Sequence, residues 1–76
     1  MPRQIKLIWD FRGPASGKTA EHHEIHLKEF IASEKMELNI TGFEVINDMM
    51  AIAFMVVEEA NMFTIRDILK PHRAEV

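Results

Sequence analysis

Residues Met49 to Val57 form an unbroken apolar run, MMAIAFMVV. Nine residues are too few to cross a bilayer as a helix, which takes about 20. The run's length and its branched and aromatic members read as a strand. Met50, Ile52, Phe54 and Val56 then point one way, and Met49, Ala51, Ala53, Met55 and Val57 the other. Both faces are apolar, so both call for cover. A chain of 76 residues without Cys has little to cover them with. A lone core of this size is marginal, and no disulfide can supplement it. Oligomerisation or a bound metal is the expected supplement.

The rest of the chain reads as one domain spanning residues 1–76. Gln4 to Arg12 alternates as a strand, with Ile5, Leu7, Trp9 and Phe11 on one face and Asp10 and Arg12 on the other. Gly13 to Gly17 is a loop rich in turn residues. Ser16 or Thr19 is the expected cap of a helix running to about Lys35. Ala20, His23, Leu27, Phe30 and Ile31 share one face of that helix. Glu37 to Asn47 reads as a second strand, bulged or bent at Gly42, with a hairpin turn at Asn47-Asp48. Glu58 and Glu59 suit the start of a second helix. Met62, Ile65 and Leu69 form its apolar stripe, with Ile68 beside them, and Pro71 ends it. Phe63 lies off the stripe and marks a further contact. His72 to Val76 reads as a tail or a short fourth strand.

The order β-α-β-β-α, with a last β, resembles the ferredoxin-like split βαβ arrangement, an α+β fold with an antiparallel sheet and two helices on one face. In that arrangement the helices leave one sheet face open. The apolar run then makes the chain resemble the dimeric α+β-barrel superfamily, in which two such sheets pack face to face. The resemblance implies a homodimer through the open sheet face. An edge-to-edge dimer or a crossing tail is the competing way to cover that face. The superfamily includes small isomerases, monooxygenases and stress-response proteins, many without a cofactor and some with haem.

A net charge of −3 argues against neutralisation of nucleic-acid phosphates and against binding to an anionic membrane. No signal-peptide core follows Arg3 and Lys6, so the cytoplasm is the default location. Gly13-Pro14-Ala15-Ser16-Gly17-Lys18-Thr19 sits where a P-loop would, but has three residues between its glycines where the motif has four. Nucleotide hydrolysis is not expected.

The histidines carry the stronger signal. His22, His23 and His26 fall in the first two turns of the first helix, and His22-x3-His26 has the spacing of zincin helices. The zincin glutamate is replaced by His23, so a zinc protease is not supported. In the expected topology Asp10, Phe11, Arg12, the three helix histidines, Asp48, His72 and Arg73 gather at one end of the domain. Two chemistries follow. His22 and His26, with His72 or Asp10, are candidate ligands for zinc or another divalent metal. Alternatively His23 or His26 acts as acid or base on a small ligand, with Arg12 or Arg73 holding an anionic group and Trp9 as a pocket wall. A helix N-terminus disfavours the imidazolium, so neutral rings are expected. The leading expectation is a homodimer binding a small ligand at this end. A cofactor-independent enzyme, a metal-binding domain and a purely structural or interaction module are the alternatives.

Overall fold

A computed structural model describes residues 3–36 and 40–75. The elements are β1 (Gln4–Arg12), α1 (Ser16–Ser33), β2 (Thr41–Asn47), β3 (Met50–Glu58), α2 (Glu59–Leu69) and β4 (Arg73–Glu75). The four strands form one antiparallel sheet in the order β2-β3-β1-β4. The chain is therefore α+β, and the segment after Pro71, read as a tail or a short strand, forms the three-residue strand β4.

Alternation in β1 and β3 builds the core. Ile5 lies opposite Val57, Leu7 opposite Met55, and Trp9 opposite Ala53. All six are at most 4% exposed. Leu27 and Ile31 of α1 and Ile65 of α2 pack onto this face, with Phe30, Met62 and Leu69 against them. Both apolar stripes therefore bury as their spacing predicts, while Ile68 and Phe63 stay exposed. The two helices cover different strips of the sheet. No Cα of α1 comes within 8 Å of one of α2. That gap leaves depressions along the flanks of α1.

The other sheet face is covered within the chain more than its apolar content implies. Ile8 is 1% exposed and Ile52 6%. Phe54 and Arg73 stand opposite Ile8 in register, and Asp10 opposite Ile52. Lys6 Nζ stands 4.3 Å above the Phe54 ring, and Arg73 forks onto both carboxylate oxygens of Asp10. Lysine and arginine stems can cover apolar surface in this way while their charged heads stay wet.

Several local expectations change. Ala15 is the cap residue of α1, with no side-chain cap bond. Neither Ser16 nor Thr19 caps the helix. Ser16 is buried with its hydroxyl unpartnered, and the Thr19 hydroxyl donates back to the Ala15 carbonyl at 3.0 Å. The bulge in β2 falls between Val45 and Asn47, not at Gly42. Gly42 instead gives room to Phe54, because a Cβ there would meet the ring at 2.5 Å. The hairpin turn is Asp48-Met49, one residue later than expected. The Asn47 side chain sets it by accepting the Met49 N–H at 2.8 Å. Met49 thus leaves the third strand and is exposed. The expected start of the second strand at Glu37 lies outside the described residues. Helix α2 ends on Lys70 in the left-handed region (φ 50°), whose N–H reaches the Arg66 carbonyl just before Pro71.

Candidate functional site

The site grows from the last turn of β1. Trp9 and Phe11 alternate onto the helix-covered face, where α1 lays His23, the second of its three histidines, against them. The His23 ring centroid is 4.9 Å from that of Trp9 and 5.4 Å from that of Phe11. Phe11 in turn meets the His72 ring edge-on at 6.4 Å. Trp9, His23, Phe11 and His72 form an aromatic row that joins β1, α1 and the start of β4. Each outer member is pinned. Trp9 Nε1 donates to the Leu69 carbonyl at 3.0 Å, at the end of α2. His72 Nδ1 accepts the Asp10 N–H at 2.7 Å, which fixes its proton on Nε2 when neutral.

His23 differs from its neighbours. It is half-buried, and its Nε2 is buried with no hydrogen-bond partner among the described residues. Burial pushes its pKa below the ordinary 6.5, and the nearby His26 and His72 push the same way. A neutral ring is thus expected near pH 7. The cause is desolvation rather than the helix N-terminus invoked from sequence.

Beside this ring runs a depression of about 410 Å³ lined by Phe11, Lys18, Thr19, His22, His23 and His26. His22 and His26 stack edge to face at 4.8 Å on its outer wall, and His26 Nδ1 lies 3.4 Å from Glu29. The loop after β1 does not cradle a phosphate in the manner of a P-loop. Lys18 and Thr19 are already inside α1, and the Gly13 N–H bonds the Met49 carbonyl at 2.7 Å.

The sequence-derived site residues gather at one end, but on two faces of the sheet. Trp9, Phe11 and His23 share the helix-covered face. Asp10, Arg12 and Arg73 lie on the other face or its edge. Arg73 is committed to Asp10 at 3.1 and 3.2 Å and to Glu75 at 3.3 Å, and the Asp10 hydrogen bonds push its pKa up. Asp48 sits in the hairpin turn at the same end. For metal, among the described residues no group of three or more His, Cys, Asp or Glu side chains converges. His22 and His26 alone would supply two of the four positions zinc usually fills. No described helix is long and apolar enough to cross a membrane.

A second depression, of about 460 Å³, lies between the end of α1 and the start of α2. Phe30, Met36, Asn61, Thr64 and Ile68 are among its lining residues. Its residues lie on elements distant in sequence and carry no spacing signal. Only the observation that the two helical stripes leave a strip of sheet between them points to it.

Comparison with family models, curated proteins and solved structures finds no match. The functional reading therefore rests on the geometry of this chain alone.

Proposed function

We propose that this chain is a ferredoxin-like domain that binds a small ligand in the depression floored by Phe11 and His23. The strand order β2-β3-β1-β4, with crossover helices packed on one face, supports the fold reading. The orphaned Nε2 of His23 carries the ligand reading. A buried nitrogen without a partner costs roughly 1–3 kcal/mol, and such groups call for an explanation in use.

The lining favours one ligand class. Phe11 supplies an apolar wall and Lys18 a positive charge, while a neutral His23 both accepts and donates. A small organic anion with a flat apolar body fits this combination. Benzoate is a suitable probe. Its titration is expected to move the NMR signals of the His23 imidazole and of Phe11. The shifts should disappear in His23→Phe. If neither benzoate nor inorganic phosphate moves these signals at millimolar concentration, the reading fails.

The lowered His23 pKa favours a second reading, in which the same ring acts as a general base near neutral pH. The two readings share their residues and differ only in whether a bound anion is altered.

A further inference from the structure

Most of the exposed large apolar side chains lie along one border of the molecule. Ile40, Phe43, Val45, Ile46 and Met49 belong to β2 and its flanks, and Ile25 stands on α1, the helix that packs against β2. Val45 is 55% exposed, Ile46 49% and Met49 56%. On the open sheet face, where the sequence places a partner, Ile8 and Ile52 are already buried. The uncovered apolar surface is at the edge of the sheet rather than on its face.

Among the described residues no strand pairs with the outer edge of β2. Val56 N–H bonds the Ile40 carbonyl, and the register runs evenly from Thr41–Met55 to Val45–Ala51. Residues 40, 42 and 44 therefore spend their N–H and C=O groups on β3. Those of Thr41, Phe43 and Val45 point off the sheet. Edge strands are ordinarily guarded by proline, lysine, shortness or early bulging. The sequence TGFEVIN contains neither proline nor lysine, and its bulge comes only after Val45. The opposite edge is guarded: β4 is three residues long and carries Arg73 and Glu75.

We infer that β2 pairs antiparallel with β2 of a second copy, joining two four-stranded sheets into one of eight strands. Charge rules out one register, and side-chain packing favours another. Centring the two-fold axis on Glu44 would set two carboxylates directly opposite each other, which disfavours that pairing. Centring it on Phe43 puts Phe43 against its own copy, Thr41 against Val45, and Glu44 against Gly42. In that register the outward groups of Thr41, Phe43 and Val45 meet one another, and Phe43 and Val45 form one apolar strip with the partner's.

Sedimentation at micromolar concentration is expected to show a dimer. Val45→Lys should convert it to monomer, whereas Val56→Lys on the open face should leave it intact. Both substitutions are read alongside far-UV circular dichroism to verify folding. The chain has no native Cys, so Phe43→Cys gives a single probe. Hydrogen-bonded antiparallel partners have Cα atoms about 5.5 Å apart, within disulfide range. Mild oxidation of Phe43→Cys should give a covalent dimer, and Phe63→Cys on α2 should not. A monomeric wild type overturns the proposal. So does a dimer that survives Val45→Lys and is lost in Val56→Lys.

Discussion

The ring of Phe54 packs over the bare backbone of Gly42, so closely that a Cβ at residue 42 would lie 2.5 Å from its Cζ. Lys6 Nζ stands 4.3 Å from the centre of the same ring. Gly42→Ala must therefore displace Phe54 and disturb the cover above the open face. A loss of about 1–3 kcal/mol is expected, the usual cost of overpacking. Urea denaturation measures it. A double-mutant cycle with Phe54→Leu should recover part of the loss, because the smaller side chain no longer meets the new methyl group.

Trp9 joins β1 to the end of α2 through its bond to the Leu69 carbonyl. Trp9→Phe removes that donor and leaves a carbonyl unpaired beside the core. Destabilisation of about 1–3 kcal/mol is expected from the unpaired group and the lost volume. Amide hydrogen exchange should quicken in the last turn of α2 more than in the first half of α1. Uniform quickening through both helices would contradict the link.

Asp10 holds Arg73 and, through its N–H, His72. Asp10→Asn keeps the N–H but weakens the fork onto Arg73. Exchange of the β4 amides is expected to rise while the core of β1 and β3 is unchanged. The difference between wild type and variant should shrink in high salt, because the pair is partly exposed and screened. Equal exchange at low salt would remove any role of the pair in holding β4.

His23 makes stability depend on pH with a defined sign. Its folded-state pKa lies below 6.5, chiefly through burial. Above 6.5 the ring is neutral in both folded and unfolded chains and contributes no pH dependence. As pH falls below 6.5 the unfolded chain takes up the proton first, so stability drops until the folded-state pKa is passed. His23→Phe should flatten this part of the stability profile. An unchanged slope between wild type and variant would place the titration elsewhere.

Much of this architecture was legible because burial imposes simple periods. The alternation of Ile5, Leu7, Trp9 and Phe11 placed β1, and Leu27 and Ile31 marked the buried side of α1. The antiparallel sheet with two helices followed from element order, whereas a tail and a fourth strand stood open after Pro71 until the register placed β4 on β1. Other features depend on what stands opposite a residue, which spacing does not encode. Gly42 looked like a bulge, but its function is set by Phe54 on the neighbouring strand. Phe43 and Val45 have the alternation of a core-facing strand, yet the sheet order leaves β2 at the edge and keeps them exposed. The run from Met49 to Val57 called for cover on both faces. How much of it Lys6 and Phe54 provide within one chain could be seen only from their register. In the site, His23 stood out from its spacing, whereas its orphaned nitrogen required the positions of Trp9 and Phe11.

The most direct measurement is the pH titration of the His23 imidazole by NMR, with and without benzoate. A midpoint below 6.5 in the free chain, moved by benzoate, is expected from a ring held between Trp9 and Phe11 at the floor of a binding depression. A midpoint at or above 6.5 that benzoate leaves unchanged would contradict both the burial of the ring and its proposed use.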